Sequence, residues 1–143
     1  MVSFQTEEAK WAWLAAIIDG EGTFVFNGKW HPRIDISNTS KELLEAVREV
    51  LMIKKVIELN RPSGHGRFGN KPQYRIKLST RLLRVILPKI IPYLIAKKRQ
   101  GEVFLEILNL MSRWNLIVKE KGVDYYRKRC EELKLLVHDL NKG

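Results

Sequence analysis

The sequence has 143 residues, with one cysteine, Cys130, and three histidines, His31, His65 and His138. A lone cysteine excludes a disulfide framework within the chain and any cysteine-rich zinc module. The histidines are far apart and share no metal-ligand spacing. Long apolar runs are scarce as well. The longest, Leu82 to Ala96, is broken by Arg84, Pro88, Lys89 and Pro92, whereas a bilayer span needs about 20 apolar residues. The opening residues, MVSFQTEEAK, carry acids where a secretory leader is basic. These absences lead to the expectation of a soluble protein with no membrane partner. It is not secreted, and is either cytoplasmic in a prokaryote or held in an organelle's matrix or stroma. The length suits one domain over residues 1–143, burying about 68–70% of its unfolded surface.

Acids are missing entirely between Glu58 and Glu102, an interval that holds 11 Lys and Arg. The whole chain carries +10, and the surplus is local: residues 1–40 sum to −2, residues 41–100 to +11 and residues 101–143 to +1. Self-repulsion on this scale disfavours a compact state unless a polyanion offsets it. A basic solvated surface is the plainer alternative. Nucleic acid fits better than a membrane, because no single helix in the stretch is both amphipathic and basic.

The periodicity predicts a helix over about Glu7–Gly20, capped by Thr6, with Glu7 and Glu8 in its first turn. Trp11 to Ile18 is unbroken apolar sequence, so the helix needs cover on more than one side. Ala12, Ala16 and Gly20 form a small-residue strip that would admit a second helix closely; alternatively, both sides pack on one core. Strands are predicted over Thr23–Trp30 and Arg33–Ser37, with Pro32 interrupting between them. A capping box, Thr39-Ser40-Lys41-Glu42, opens the next helix. Further strands are predicted at Lys55–Asn60 and Tyr74–Leu78. A helix from Ser79-Thr80 to Pro88 follows, then helices over about Gln100–Trp114 and Val123–Leu140.

The fold class expected is therefore α+β. An αββαββα core carries a four-stranded antiparallel, saddle-shaped sheet with its helices on one face. The core covers about residues 5–110 and a helical C-terminal extension about 115–143. The uncovered sheet face is expected to carry Thr23, Val25, Asn27, Lys29, Arg33, Asp35, Ser37, Glu58, Asn60, Arg75 and Lys77. This mixed donor and acceptor set suits base edges in duplex DNA. Gly64-His65-Gly66-Arg67-Phe68-Gly69 matches a dinucleotide-binding fingerprint in letters only, since no helix begins at its end. A hairpin loop carrying Arg61, Arg67 and Lys71 toward the nucleic acid is the better account. Asn38-Thr39-Ser40 is a glycosylation sequon only in a secreted chain, and Cys130 is expected to pack within its helix.

The first helix ends in Asp19-Gly20-Glu21-Gly22. Acids at a helix C-terminus meet a negative dipole and unpaired carbonyls. A plain turn would leave Glu21 in solvent. If two such helices pair, their Glu21 carboxylates and free carbonyls converge and require a hard cation: Mg²⁺, or Mn²⁺ or Ca²⁺. A divalent cation beside a basic nucleic-acid surface suggests phosphodiester hydrolysis.

Leu14-Ala15-Ala16-Ile17-Ile18-Asp19-Gly20-Glu21-Gly22, followed by Thr23-Phe24, closely resembles the signature of the LAGLIDADG homing endonucleases. Ser37–Leu43 and Pro92–Lys97 also look familial, and the element order matches that family's core. The motif occurs once, which implies a homodimer joined through Ala12, Ala16, Asp19 and Gly20. The resemblance implies a site-specific endonuclease making a staggered double-strand break in a long pseudo-palindromic target. It implies Glu21 as the metal-binding carboxylate, the Gly20 carbonyl as a further ligand, and Lys97 as the basic group near the scissile phosphate. Ser40 sits where a polar residue often orders active-site solvent, and Asp19 would shape the helix end. The rival readings are a non-cleaving RNA maturase and a DNA-binding protein of transcription-factor type on the same fold.

Overall fold

The computed structural model describes residues 2–59 and 72–143. Four strands pair throughout antiparallel in the order β1-β2-β4-β3: β1 Gly22–Asn27, β2 His31–Asn38, β3 Ile57–Leu59 and β4 Gln73–Leu78. Helix α1, Glu7–Glu21, precedes them, α2, Lys41–Leu51, links the hairpins, and α3, Thr80–Ile90, follows. A 3-10 turn, Ile91–Tyr93, leads into α4, Lys98–Ser112, then α5, Trp114–Lys121, and α6, Val123–Lys142. The expected order of helices and strands is therefore present, in a mixed α+β fold with an open antiparallel sheet.

The period of two places Phe24, Ile34, Ile36, Ile76 and Leu78 on one sheet face, each essentially without solvent exposure. Leu14, Ala15 and Ile18 of α1, Leu44 and Val47 of α2, and Leu83, Ile86, Leu87 and Ile90 of α3 complete the core with Val103, Phe104 and Ile107 of α4. Burying each large side chain contributes about 1.5–3 kcal/mol. Phe104 meets Phe24 and Phe26 at ring-centroid distances of 4.9 and 5.3 Å, tying α4 to β1. Helix α6 adds Leu133 and Val137 to the same core. The Asn141 side-chain amide donates to the Phe24 carbonyl at 2.8 Å, which occupies a group on the outer edge of β1.

Local chemistry moves several boundaries. Strand β1 stops at Asn27 because Gly28 adopts φ +68° and starts the turn. Pro32 lies inside β2 instead of interrupting it. It sits beyond Ile34, where pairing with β4 begins, so its missing N–H costs no ladder bond, and its carbonyl accepts from Thr80 Oγ1 at 2.7 Å. Helix α3 passes through Pro88, which is exposed, and the residue whose carbonyl loses its helical donor, Arg84, is exposed as well. The predicted capping box is displaced by one residue. Ser40 is the N-cap, with its Oγ accepting from the Leu43 N–H at 3.2 Å, while Asn38 Oδ1 has taken the Ser40 N–H at 2.8 Å. Helix α5 was not foreseen: none of its residues is fully buried, so no apolar period marks it in the sequence. Among the described residues, no helix is long and apolar enough to cross a membrane.

Candidate functional site

Glu21 is the last residue of α1 and Gly22 the first of β1. The helix-to-strand junction is forced close: a Cβ on Gly22 would lie 2.7 Å from the Ile18 carbonyl oxygen, so only glycine fits. The Gly22 N–H donates to that same carbonyl. The acids on either side of Gly20 have opposite fates. The Asp19 carboxylate turns into its own chain, accepting the Ile95 N–H at 2.7 Å and the Lys97 N–H at 3.0 Å. The exposed Glu21 carboxylate makes no hydrogen bond or ion pair with any described residue.

Lys97 arrives from the loop after the 3-10 turn. Leu94 anchors that loop, being 2% exposed, and packs against Gly101, where a Cβ would meet its Cδ1 at 2.9 Å. The Lys97 ammonium donates to the Ile18 carbonyl at 3.3 Å and to the Gly22 carbonyl. A cation at a helix C-terminus offsets the negative dipole, and here it bridges the last turn of α1 to the first residue of β1. The Gly20 carbonyl lies in the same last turn, outside the two that Lys97 engages. An unpartnered carboxylate beside a helix-end carbonyl is a hard oxygen donor set, which fits Mg²⁺, Mn²⁺ or Ca²⁺. Among the described residues, no three acidic, histidine or cysteine side chains converge. The structure thus brings Asp19, Gly20, Glu21 and Lys97 together. Ser40 lies at the end of β2 near the start of β1, engaged as the α2 cap and donating to Glu42 at 3.4 Å; no contact joins it to the other four.

On the sheet face away from the helices, register aligns Thr23, Asp35 and Lys77 across three strands, and Ser37 with Arg75. Val25 faces Arg33, and Asn27 faces His31 on the same side. Arg75 Nε donates to Ser37 Oγ at 3.2 Å. Lys29 is exposed in the β1–β2 turn. Asp35 is only 7% exposed, because it lies under Arg33. Glu58 departs from expectation. It pairs with Tyr74, which shares the helix-side face with Ile76 and Leu78. An edge strand lets an acid on that face still reach water, so its polarity misled the assignment. Ile57 and Leu59 stand on the open face instead, opposite Arg75 and Gln73. Asn60, Arg61, Arg67 and Lys71, with the glycine-rich loop, lie outside the described residues.

Residues 8–109 match the model of the LAGLIDADG-like domain. The chain belongs to the LAGLIDADG family. Solved structures share its fold. The homing endonuclease I-CvuI, in complex with its target in the presence of calcium, superposes with a TM-score of 0.64 at 18% identity, covering 95% of this chain and 84% of that one. The archaeal intron-encoded homing endonuclease I-Vdi141I, complexed with DNA, gives 0.55 at 22% identity over 96% of this chain and 100% of that one. The LAGLIDADG meganuclease I-CpaMI, bound to uncleaved DNA, gives 0.52 at 22% identity over 85% of this chain and 41% of that one. Comparison with curated proteins gives no match.

In this LAGLIDADG chain the signature residues divide by position. Leu14, Ala15 and Ile18 are buried in the core, whereas Ala16 and Gly20 are exposed and Ala12 is half-buried. A Cβ on Gly20 would meet nothing within 4 Å. Ile95, 87% exposed, donates its N–H to Asp19 and extends this surface. Sequence reasoning missed Ile95, and it missed Leu94 and Gly101 as the support beneath Lys97. The one available signal was the Leu94-Ile95-Ala96-Lys97 run, in which only the folded loop shows that Leu94 is buried while Ile95 and Ala96 are exposed.

Proposed function

We propose that this LAGLIDADG protein is a homodimeric, site-specific DNA endonuclease that makes a staggered double-strand break by divalent-metal-dependent hydrolysis. The observation that carries the reading is the unpartnered Glu21 carboxylate at the end of α1, beside an Asp19 and a Lys97 that are both fully engaged. An acid without a role would relieve its repulsion from the helix dipole by pairing with the ammonium next to it. Lys97 instead holds backbone carbonyls and leaves Glu21 open.

Two copies meeting along Ala12, Ala16 and Gly20 bring two Glu21 carboxylates and two Gly20 carbonyls together, supplying the ligands a single chain lacks. Glu21 and the Gly20 carbonyl would hold a divalent cation there, Mg²⁺ or in its place Mn²⁺ or Ca²⁺, which would supply an activated water and charge stabilisation at the phosphate oxygens. The neighbours I-CvuI and I-Vdi141I were solved on DNA, the former with calcium or magnesium present, which supports the assignment. Lys97 adds positive charge where the phosphate becomes more negative, and Asp19 holds its backbone in place. Ser40, whose hydroxyl is held at the α2 cap by Leu43 and Glu42, would order solvent through its remaining lone pair. Each sheet lies in the major groove of one half of a long pseudo-palindromic site, its basic residues neutralising phosphates and its open face reading bases.

The test is cleavage of a plasmid library carrying candidate sites, with Mg²⁺, by the wild-type protein and by Glu21→Gln. Wild-type protein is expected to linearise one site, while the variant binds that site and leaves it intact. Specific binding without cleavage by the wild type would replace this reading with a non-cleaving DNA or RNA binder, and undiminished cleavage by Glu21→Gln would remove the metal assignment.

A further inference from the structure

We infer that Arg33, locked by Asp35, reads a guanine in each half of the target; the inference rests on the DNA-binding reading above. Both residues stand on the open face of β2, two positions apart. Arg33 Nε donates to Asp35 Oδ1 at 2.9 Å and Nη2 to Oδ2 at 3.0 Å, a bidentate clasp that fixes the guanidinium plane. The carboxylate is nearly covered, at 10% side-chain exposure, while Arg33 retains 24%.

The clasp uses one edge of the guanidinium and leaves the end-on fork of Nη1 and Nη2. No described residue accepts from that fork. Arg33 lines a groove of about 450 Å³ together with Asn27, Lys77, Ser79, Thr80 and Arg81. No acid lines this groove, so the ligand that fits must present acceptors. Guanine presents two side by side in the major groove, O6 and N7, at the spacing of an arginine fork. A backbone phosphate fits this position less well. Arg33 and Asp35 together are electrically neutral, and a phosphate would gain little attraction from the pair while meeting the carboxylate's charge. Directional hydrogen bonding survives that neutralisation. Lys77 and Arg81, which have no ion-pair partner among the described residues, are the phosphate contacts at the rim.

The test selects the preferred site of the full-length protein from duplexes with randomised positions, then measures binding to every single-base variant of that site. Wild-type protein is expected to require G at one position of each half-site. Arg33→Ala, and Arg33→Lys which retains the charge without the fork, should lose roughly 5- to 150-fold of discrimination at that position alone. Asp35→Asn should lose discrimination at the same position while binding all duplexes more tightly, and Lys77→Ala should weaken every duplex equally. Uniform weakening by Arg33→Ala with a reduced salt dependence identifies a phosphate contact and overturns the inference, as does an unchanged base preference. A wild-type protein that selects no duplex overturns the DNA-binding reading itself, and this inference with it.

Discussion

Asp19 offers the sharpest separation of architecture from chemistry at the site. Replacing it with alanine removes the acceptor of two charge-assisted hydrogen bonds, from Ile95 and Lys97, each worth about 1.5–3 kcal/mol. Asp19 is half-buried and Ile95 exposed, so hydration of the freed N–H groups places the loss near the low end, about 3 kcal/mol for the pair. Two gains oppose it. Alanine is the better helix former by roughly 0.5 kcal/mol, and an acid leaving a helix C-terminus relieves about 0.3–1 kcal/mol. The balance is a destabilisation of about 1.5–2 kcal/mol, which at roughly 3–4 °C per kcal/mol lowers Tm by about 5–8 °C in a chain of this size. Thermal unfolding by circular dichroism measures it directly. Asp19→Asn keeps one acceptor oxygen and should fall about midway. Since the freed segment carries Lys97, cleavage should fall in both variants, and the penalties of Asp19→Ala and Lys97→Met should not add. An Asp19→Ala protein that melts at the wild-type temperature refutes the clamp, and any loss of cleavage in it would then belong to the cation site.

The two glycines flanking Glu21 should behave oppositely. Gly22→Ala forces a Cβ to 2.7 Å from the Ile18 carbonyl and should lower Tm by several degrees in any assembly state. Gly20→Ala has open space in the monomer and should weaken association, seen as a shift toward monomer in sedimentation equilibrium; a dimer of unchanged affinity would contradict the helix-pairing surface. The Cys130 thiol is pushed above its ordinary value by burial, and thiolate is the reactive form. Iodoacetamide should therefore label it slowly at pH 8 until urea unfolds the chain. Burial also raises the Tyr126 phenol, aided by the adjacent Cys130 charge. In both cases the unfolded chain releases its proton first, so stability should decline as pH rises through about 9 to 10. A flat urea midpoint between pH 8 and 10.5 would contradict this.

What the sequence made readable was whatever repeats at short range. The i, i+3, i+7 spacing of Leu14 and Ile18 with Trp11 located α1, and the alternation through Tyr74-Arg75-Ile76-Lys77-Leu78 put the two cations of β4 on the open face where the structure has them. Glu21 stood out because an acid at a helix end conflicts with local electrostatics. Register was less legible. The polarity of Glu58 could not reveal that it pairs with Tyr74, because at a sheet edge both faces are wet. The hydrogen bonds from Ile95 and Lys97 to Asp19 span 76 and 78 residues, and that from Asn141 to Phe24 spans 117. No periodic signal carries such separations. Only the family resemblance pointed to Lys97, and it placed the residue at the phosphate without its contacts to the Ile18 and Gly22 carbonyls.

Three glycines near the site differ in what requires them, and the difference bears on the unit of function. Gly22 is imposed by the Ile18 carbonyl and Gly101 by the Leu94 side chain; each lets two parts of one chain approach. Gly20 has no such neighbour, yet it stands in a helix, where glycine costs about 1 kcal/mol relative to alanine. Its own chain gains nothing from that cost. The residues around it sharpen the point: Ala16 is exposed and Ile95 is almost wholly so, although α1 is unbroken apolar sequence from Trp11 to Ile18. A helix this apolar with one side uncovered is incomplete as a monomer surface, and its smallest residues mark where a backbone could come nearest. The same turn of helix carries the Glu21 carboxylate, which no further cluster of acidic, histidine or cysteine side chains joins among the described residues. A second copy of α1 would resolve both deficits at once, so on the proposed reading, assembly and catalytic competence depend on a single contact and should be lost together when Gly20 acquires a side chain.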